Sequence, residues 1–373
     1  MNCSTPQARP RILEVLYSFA FGGSEIVGVE LAKGLSESGL DVLCTAIDST
    51  PGPLQQRCAQ YGIRTLNLNI PAGILGRNGI SLALTKWLRS LHLDAVHLHH
   101  FLGLNKLGIP ARLAGIRKVV VTEHSVLDVS QSLAGRMRAR VSWRLASGVT
   151  VIHQSIKDYL CTEIGVAADR IAVIPIGIIL EDYARIDRPE CRAALNLGAQ
   201  ITFVFVGRLA PVKNVPGLIA AFLAVQSRRP ANAKLLIVGD GEDRAACENL
   251  VKSSEHGNCV ELAGAQVDPR RYLAASDVFV LNSRSEGTPR ALLEAMATGL
   301  PAIGPAVGGI PDMLKGRGWL TIPGDQSSLE SAIESVLNHP HAIPMLGQLA
   351  RQYVKSNFDS QRATARYREL LVG

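Results

Sequence analysis

Two glutamates eight positions apart, Glu286 and Glu294, flank a predicted helix start in the stretch EGTPRALLE. Thr288 is a favourable N-cap and Pro289 a favourable first helical residue, so the sequence predicts that a helix begins at this point. The first N–H groups of a helix have no intrahelical acceptor and lie at the positive end of its dipole. Together with the N–H of Gly287, they are predicted to form an anion site that is best suited to phosphate.

The two carboxylates cannot hold a phosphate by charge, but each can accept hydrogen bonds from neutral hydroxyl groups. Glu286 lies just before the predicted helix and Glu294 in its second turn, so the two are predicted to contact hydroxyls on opposite sides of the phosphate. A ligand with hydroxyls, phosphate and hydroxyls in that order is a nucleotide sugar. The alternative, a solvated loop residue and an exposed helix residue, leaves the Gly-Thr-Pro helix start as a coincidence.

Two cations follow the first predicted strand of the second half, in the segment ITFVFVGRLAPVKN. Arg208 and Lys213 are five positions apart across a turn at the carboxyl end of that strand. Charge-assisted hydrogen bonds from such a pair suit a diphosphate. Taken alone, the pair is better explained as two surface cations, so its interpretation depends on the neighbouring phosphate site.

Short apolar runs rich in β-branched residues alternate with helical patterns along the chain. The runs are 11–19, 41–47, 63–69, 95–100, 118–124, 148–153 and 171–177 in the first half, and 201–207, 234–240, 260–264, 278–283, 300–305 and 318–323 in the second. The clearest helical pattern is 24–39, with Ser24 predicted to cap its start and Gly39 to end it. This alternation predicts parallel sheets with helices on both faces, whose ligands bind at the carboxyl ends of the strands.

Two series of strands predict two doubly wound α/β domains, joined within the polar stretch 181–190. The first domain is assigned to 1–180 and the second to 181–355. The segment 356–373 is predicted to be a terminal helix, which could pack back on the first domain.

Composition excludes several functional classes. The chain has 373 residues, is 47 % hydrophobic and carries a net charge of +7, which indicates a globular protein that favours phosphorylated ligands or anionic lipid. No nucleic-acid motif is found, so no nucleic-acid partner is expected. Seven cysteines without a CxxC pair favour a reducing compartment, and the sequence has neither a signal-peptide pattern nor a run long enough to span a membrane. A cytoplasmic location is therefore expected.

The stretch EGTPRALLE, followed by AMATGLPAIGPAVGGIPDML and taken with VGRLAPVKN, resembles family 4 of the retaining glycosyltransferases, which have the GT-B fold. Looser matches extend over nearly the whole chain: FGGSE, DAVHLHH, VVVTEHS, VIPIGI, LLIVGDGED and VELAG. The resemblance implies two Rossmann-like domains facing across a cleft, with the acceptor on the first domain and the nucleotide sugar on the second. One departure is VIPIGIILEDY, where Ile176 and Ile179 stand in place of the family's usual Asn and Asp.

The resemblance also implies a role for each matching residue. Glu286 would hold hydroxyls of the donor sugar, and Glu294 would bind the ribose. In the same way, the backbone N–H groups of Gly287 and Thr288 would bind the diphosphate, and Arg208 and Lys213 would neutralise it as it leaves.

In the first domain, the resemblance places the turn at Gly22 and Gly23 close to the donor, because glycines allow the backbone to approach it. His124, at the end of KVVVTEH, matches the family's active-site histidine, which faces the donor sugar. A histidine at a strand end is more often structural, and it is the position of His124 within the motif that favours the functional role.

The implied activity is retaining transfer of a hexosyl group from a UDP- or GDP-linked sugar to a hydroxyl of a glycan or lipid-linked acceptor, in bacterial surface polysaccharide or glycolipid synthesis. No cofactor is expected beyond this co-substrate. An epimerase or phosphorylase of the GT-B type and a non-catalytic nucleotide-sugar-binding protein remain alternatives. A glycoside hydrolase would also use two carboxylates, but it would not need the phosphate site.

No metal is expected, because the sequence lacks the Asp-x-Asp motif of metal-dependent transferases. His97, His99 and His100 raise the question of a zinc site. Since neighbours on a strand point to opposite faces, the sequence favours histidines that line the cleft or pack beside it.

The segment 133–146, LAGRMRARVSWRLA, carries four arginines and no acidic residue. On a helix, three arginines would share one face, with an apolar stripe beside them; these residues are Arg136, Arg140 and Arg144, then Leu133, Met137, Val141 and Leu145. One interpretation is a helix lying on anionic lipid, which would place the protein peripherally on the inner face of the plasma membrane. The other is a solvated face above an ordinary core stripe.

Overall fold

The computed structural model describes residues 9–48, 50–68, 81–124, 133–184 and 186–373. It contains two compact units. The first comprises Met1–Gly177 together with Ser360–Gly373, and the second comprises Ile178–Asp359. The chain therefore passes from the first unit to the second and returns for its last helix.

The first unit contains a seven-stranded parallel sheet in the order β3-β2-β1-β4-β5-β6-β7. Its strands are β1 Arg11–Leu16, β2 Asp41–Ala46, β3 Arg64–Leu66, β4 Ala95–His99, β5 Lys118–Glu123, β6 Gly148–Val151 and β7 Ile171–Val173. Its α-helices are Gly23–Glu37, Pro53–Gln60, Leu82–Ser90, Phe101–Leu113, Leu133–Ser142, Gln154–Tyr159 and Ser360–Val372.

The second unit contains a six-stranded parallel sheet in the order β10-β9-β8-β11-β12-β13. Its strands are β8 Ile201–Val206, β9 Ala233–Val238, β10 Val260–Gly264, β11 Val278–Val280, β12 Ala302–Pro305 and β13 Gly318–Thr321. Its α-helices are Glu181–Ala184, Arg188–Ala194, Val215–Arg228, Arg244–Ser253, Arg270–Ala275, Arg290–Thr298, Ile310–Leu314, Gln326–Asn338 and Ile343–Asn357.

The central strands of both sheets are mostly apolar because helices cover both of their faces. In the second unit, Phe203 of β8 is fully buried and its ring packs edge-on against Phe222 of the helix Val215–Arg228, with ring centroids 5.7 Å apart. These two parallel sheets with covering helices confirm the predicted α/β fold class.

The first helix differs slightly from its prediction. It spans Gly23–Glu37, and Gly22 occupies the N-cap position in an extended conformation. Ser24 does not cap the helix, because it already lies inside the first turn, where its hydroxyl donates to Glu25 Oε2 at 2.8 Å.

Each sheet has a point at which the strand order reverses. In the first unit the chain builds outward from β1 through β2 to β3 and then returns to β4, so the reversal lies between β1 and β4. In the second unit it lies between β8 and β11 for the same reason. Loops leaving the two strands at such a point diverge, and the crevice between them is where open α/β sheets bind ligands.

Candidate functional site

In the second unit, the predicted donor-binding residues lie on either side of the strand-order reversal. Lys213 follows β8 and Glu286 follows β11, and the structure brings them together, with Lys213 Nζ 2.5 Å from Glu286 Oε1. Ser283 Oγ donates to the same oxygen at 2.6 Å. Among the described residues, Glu286 Oε2 has no hydrogen-bond partner, so it is free to accept from a hydroxyl.

Arg208 is not brought into this cluster. Its side chain is exposed and makes no hydrogen bond or ion pair with any residue that the structure describes. The loop that carries it is nevertheless fixed, since the N–H of Leu209 donates to the carbonyl of Asp240 at 2.9 Å and the N–H of Asp243 donates to the carbonyl of Leu209 at 2.9 Å. Arg208 is therefore a free cation on an ordered loop at the carboxyl end of β8.

The helix after Glu286 begins later than predicted. It spans Arg290–Thr298, with Pro289 as the N-cap residue. The prediction that Thr288 caps the helix and that Pro289 is its first residue is wrong, because Pro289 has a ψ of 111° and stays extended. Thr288 Oγ1 is buried and has no partner among the described residues. The unpaired helix N–H groups thus begin at Arg290, one turn beyond Glu286.

Glu294 has a partner that sequence reasoning missed. Arg290 Nε lies 2.8 Å from Glu294 Oε1, and both residues are only 9 % exposed. This i, i+4 pair is shielded from water by the surrounding unit, so Glu294 is held in one orientation before any ligand arrives.

A glycine in the next loop supports the backbone of Glu286 and Gly287. Gly308 has a φ of +54°, and a Cβ at this position would collide with the carbonyl oxygen of Glu286. The N–H of Gly309 donates to the carbonyl of Gly287 at 3.0 Å. The Gly-Gly pair after β12 therefore fixes the loop that carries the predicted sugar-binding glutamate.

We expect Gly308→Ala to lower both stability and nucleotide affinity. The left-handed φ alone costs about 1–3 kcal/mol for a residue other than glycine, which corresponds to several degrees in Tm, and the collision displaces the loop of Glu286. Gly316→Ala is the matched control, because Gly316 has a φ of +71° and open space around its Cβ position. Calorimetric titration with UDP and GDP and thermal melting of both variants test this. Equal nucleotide affinity in the two variants would contradict it.

In the first unit, a buried charged cluster lies at the strand-order reversal. Glu14 of β1 faces His97 of β4 in the sheet register. Glu14 Oε2 lies 2.9 Å from His97 Nδ1 and 3.0 Å from His99 Nε2. All three side chains are within 1 % of complete burial. The opposite-face argument from the sequence fails for His97 and His99, because residues two apart on a strand share a face. It does not apply to His100, which lies beyond β4 with a φ of +72° and whose ring, like that of His99, lies beside the ring of His124.

These three residues offer metal-ligating atoms within 4.8 Å of one another. The hydrogen bonds nevertheless account for both nitrogens of each ring. His97 Nε2 lies 2.7 Å from Thr122 Oγ1, and His99 Nδ1 lies 2.9 Å from His124 Nε2. A carboxylate that accepts from two imidazoles explains the cluster without an ion, and metal independence remains a prediction.

The network extends to the terminal helix of the same unit. Thr122 Oγ1 is hydrogen-bonded to Thr150 Oγ1 at 2.6 Å and to Tyr367 OH at 3.1 Å. Glu14, His97, Thr122 and Thr150 thus form a row of buried polar side chains across β1, β4, β5 and β6, which we call the polar strip. The hydroxyl of Tyr367, from the helix Ser360–Val372, packs against this strip. Full burial makes each of these hydrogen bonds costly to break.

The electrostatics of this strip favour a carboxylate and neutral imidazoles. Burial alone would raise the pKa of Glu14, but its charge interaction and hydrogen bonds with His97 and His99 lower that pKa to about 2. Burial and repulsion from His97 lower the pKa of His99. Burial and the neighbouring imidazoles also lower the pKa of His124 well below its usual value.

The glycine turn of the first unit is shaped by its own glutamate. A Cβ at Gly22 would collide with the carboxylate of Glu25, while Gly23 has open space around its Cβ position. Glu25 is 8 % exposed and lies in the first turn of the helix Gly23–Glu37. The positive end of this helix is therefore already matched by a carboxylate, and a hydroxyl suits the turn better than a phosphate does.

The arginine-rich segment forms the helix Leu133–Ser142, followed by a 3₁₀ turn at Trp143–Leu145. Met137 and Val141 are 63 % and 62 % exposed, so they do not belong to a core stripe. The side chains of Leu133 and Arg136 lie outside the described residues. Within the described part of the chain, no helix is long and apolar enough to cross a membrane.

Glu14, Ser283, Arg290 and Tyr367 are among the residues of these sites that were not singled out from the sequence. Glu14 carries the clearest signal, because a carboxylate interrupts the apolar run RILEVL. Arg290 is four positions before Glu294, a spacing that indicates an ion pair on a helix. Ser283 and Tyr367 carry no signal of this kind, since their contacts depend on the folded loop and on the returning terminal helix.

Two family models match the chain. The model of Glycosyltransferase Family 4 matches residues 21–182, and the model of Glycosyl transferases group 1 matches residues 187–355. Between them they cover most of both units.

Relatives and solved structures agree with these models. The N-acetyl-alpha-D-glucosaminyl L-malate synthase of Bacillus anthracis is 26 % identical over 93 % of this chain and 92 % of its own length. A UDP-Gal:alpha-D-GlcNAc-diphosphoundecaprenol alpha-1,3-galactosyltransferase of Escherichia coli is 29 % identical over 78 % of each chain. Anabaena HepE, solved in complex with UDP and glucose, superposes with a TM-score of 0.81 at 22 % identity, covering 97 % of this chain and 99 % of its own. This last likeness shows the GT-B fold.

Proposed function

Because this chain belongs to family 4 of the glycosyltransferases, we propose that it transfers a hexosyl group, with retention of configuration, from a nucleoside-diphosphate sugar to a hydroxyl of a glycan or lipid-linked acceptor. The observation that carries the proposal is the 2.5 Å contact between Lys213 and Glu286 across the strand-order reversal. It joins a cation that we assign to the diphosphate and a carboxylate that we assign to hydroxyls, four residues before the helix that begins at Arg290.

After this contact is made, Lys213 still has hydrogen-bond donors and Glu286 still has an acceptor oxygen for a ligand. Lys213 has three N–H donors and uses one of them on Glu286 Oε1. Glu286 Oε2 faces no described partner, so it can accept from a sugar hydroxyl while Oε1 stays bound to Lys213 and Ser283. The sugar and the adjoining diphosphate of one donor could therefore be held at this point together.

The donor in this proposal is UDP-linked, with a GDP-linked sugar as the alternative. The Escherichia coli relative acts with UDP-galactose on a diphosphoundecaprenol-linked acceptor, and HepE was solved with UDP. These proteins support a uridine nucleotide and a lipid-linked acceptor, and hence a role in surface polysaccharide or glycolipid synthesis. No cofactor is part of the proposal.

In the proposed reaction, the bond between sugar C1 and the diphosphate oxygen breaks, and its electron pair remains on that oxygen. The acceptor hydroxyl oxygen bonds to C1 on the same face, and its proton passes to the leaving phosphate oxygen. Lys213, Arg208 and the N–H groups at Arg290 stabilise the negative charge that develops there. Glu286 orients the sugar. His124 has the role that the family resemblance implies for it, which is to face the donor sugar.

A thermal-shift screen of nucleotide sugars, followed by a transfer assay with the donor that raises Tm most, tests this function. We expect release of the nucleoside diphosphate that depends on an added glycan or lipid-linked acceptor. Isomerisation of the donor without an acceptor would indicate an epimerase, and consumption of phosphate would indicate a phosphorylase. Donor binding without turnover would indicate a binding protein.

We expect the transfer activity to survive EDTA. In this proposal Lys213, Arg208 and the helix N-terminus at Arg290 balance the charge of the diphosphate, so the leaving group needs no metal ion. The measurement is turnover after dialysis against EDTA, with and without added Mg²⁺ or Mn²⁺. Loss of activity that either ion restores would contradict this account.

We further propose that the helix Leu133–Ser142 places the protein on the cytoplasmic, anionic face of the membrane. Met137 and Val141 are exposed side by side on this helix, with the exposed Arg140 and Arg144 next to them. Apolar side chains flanked by cations suit the boundary between acyl chains and anionic headgroups.

We expect Met137→Ser/Val141→Ser to lower binding to vesicles that contain phosphatidylglycerol by about thirtyfold or more, because burial of each of the two side chains contributes on the order of 1–3 kcal/mol. The control is Leu320→Ser/Ile322→Ser, an exposed apolar pair of the second unit. Co-sedimentation with anionic and with neutral vesicles gives the bound fractions. Equal binding to both kinds of vesicle, or an equal loss in the control, would argue against the proposal.

A further inference from the structure

The imidazole of His124 lies at the end of a directed chain of hydrogen bonds that begins at a buried carboxylate. Glu14 Oε2 accepts from His99 Nε2 at 3.0 Å, and the other nitrogen of His99, Nδ1, lies 2.9 Å from His124 Nε2. The two rings are stacked, with centroids 5.2 Å apart. Glu14 and His99 are completely shielded from solvent, whereas His124 is partly exposed.

The chemistry of the groups fixes the direction of this chain. An ionised carboxylate only accepts hydrogen bonds, so the proton between Glu14 and His99 must be on His99 Nε2. A neutral imidazole carries one N–H, so Nδ1 of His99 must be an acceptor. The proton between the two histidines is then on His124 Nε2, because two acceptors cannot share a hydrogen bond.

We infer that Glu14 and His99 are positioning residues that hold His124 in the Nε2–H tautomer, so that His124 presents its Nδ1 as a hydrogen-bond acceptor. Among the described residues, Nδ1 of His124 has no partner. It is therefore available to a hydroxyl group that donates. This inference rests on the proposed function only for the identity of that hydroxyl, which would belong to the sugar donor or to the acceptor.

The charges around the rings support neutral imidazoles in this chain. Burial and the neighbouring histidines lower the pKa values of His99 and His124, while Glu14 stays ionised. The titratable groups that face the chain are His97 from β4, His100 after β4, Tyr367 from the terminal helix and Glu123 of β5. The carboxylate of Glu123 accepts the backbone N–H of His124 at 3.1 Å and lies 3.3 Å from His100 Nδ1. His97 donates separately to Glu14 through Nδ1 and is bound on its other side by Thr122, so it does not compete for His99.

This chain of hydrogen bonds resembles the carboxylate–histidine pair of a catalytic triad, but with one additional imidazole between the carboxylate and the last histidine. In a triad, a buried carboxylate fixes the tautomer of a single histidine, and the amide isostere allows the wrong tautomer. Here the same exchange, Glu14→Gln, replaces an obligate acceptor by a side chain that can also donate. The amide can then donate to His99 Nε2, which reverses both hydrogen bonds and moves the proton of His124 to Nδ1.

The test is ¹⁵N NMR of the full chain labelled in its histidines, with His124→Gln used to assign the signals. We expect the wild-type His124 to show a protonated Nε2 and an unprotonated Nδ1 without any ligand present. In Glu14→Gln we expect this tautomer to be lost, and turnover to fall about tenfold or more with little change in affinity for the nucleoside diphosphate. Thr122→Val is the matched control, because it removes a buried contact of His97 and leaves the chain to His124 intact.

An Nδ1–H tautomer or an imidazolium at His124 in the wild type would overturn the inference, as would an unchanged His124 spectrum in Glu14→Gln. If that variant does not fold, His99→Gln provides the second test, since it removes the ring between Glu14 and His124. Spectra that change on dialysis against EDTA would show an ion bound at Glu14, His97 and His99, and would also overturn it. The NMR result does not depend on activity, so a failure to transfer sugar would reject the proposed function and leave the tautomer assignment standing.

Discussion

Lys213→Ala is expected to lower kcat by about 10²–10³-fold, because it removes a preorganised positive charge from the leaving diphosphate. It also leaves Glu286 with Ser283 as its described partner, so orientation of the sugar suffers as well. Arg208→Ala is expected to lower kcat in a similar way. Since Arg208 has no described partner, its loss should leave Tm unchanged. Arg208→Ala therefore reports the loss of positive charge alone, whereas Lys213→Ala reports that loss together with the loss of a contact that positions Glu286.

Lys234→Ala is the control for this prediction. Lys234 lies on β9 and makes an equally short ion pair with Glu261, at 2.5 Å, but it does not lie at the carboxyl edge of the sheet. Steady-state rates with the donor identified by thermal shift give the comparison. Near-normal turnover in both Lys213→Ala and Arg208→Ala would reject the assignment of the diphosphate site.

Glu286→Gln and Glu294→Gln are expected to affect different ends of the donor. If the hydrogen bonds of Glu286 to the sugar tighten as the sugar gains positive charge, Glu286→Gln should lower turnover more than it lowers affinity for the free nucleoside diphosphate. Glu294→Gln should weaken that free nucleotide, which contains the ribose. A hydrogen bond to a charged group contributes about 1.5–3 kcal/mol, so either effect should reach about tenfold or more.

Because Glu294 is paired with Arg290, this experiment should also include a measurement of stability. Glu294→Gln leaves a buried guanidinium without its carboxylate, which costs stability in addition to affinity. Glu330→Gln is the control for loss of an ion pair outside the site, because Arg228 Nη1 lies 2.7 Å from Glu330 Oε2. Arg228 is half exposed and keeps Glu334 as a partner, so this control should cost less stability than Glu294→Gln. Calorimetric titration with UDP and GDP, alongside turnover, gives the result. A loss of nucleotide affinity in Glu286→Gln but not in Glu294→Gln would reverse the two roles.

The fold class and the meeting of Lys213 with Glu286 were predictable from the sequence, because both follow from parallel strands. Residues that end neighbouring parallel strands reach the same edge of a sheet, wherever they lie in the chain. The helix start was missed by one residue, since Pro289 is compatible both with the first helical position and with the extended conformation that it adopts. Local preference alone does not decide between these two.

The buried strip around Glu14 was not predictable in the same way. Runs such as RILEVL indicate a buried strand, and a buried strand is expected to bury apolar side chains. Burial of Glu14 is tolerated because His97 lies directly opposite on β4 and His99 two residues further on. These contacts join residues more than 80 positions apart, so they become visible only when the sheet order is known.

The return of the last helix to the first unit has a consequence for biosynthesis. The seven strands of the first unit all lie before the second unit in the chain, but its polar strip also needs Tyr367. That strip therefore stays incomplete until the helix Ser360–Val372 has left the ribosome. The second unit, by contrast, is continuous from Ile178 to Asp359 and has all of its strands once that stretch has been translated. Domains of a nascent chain usually fold in order from the N-terminus. Here we expect the order to be inverted, with the second unit reaching its final structure first.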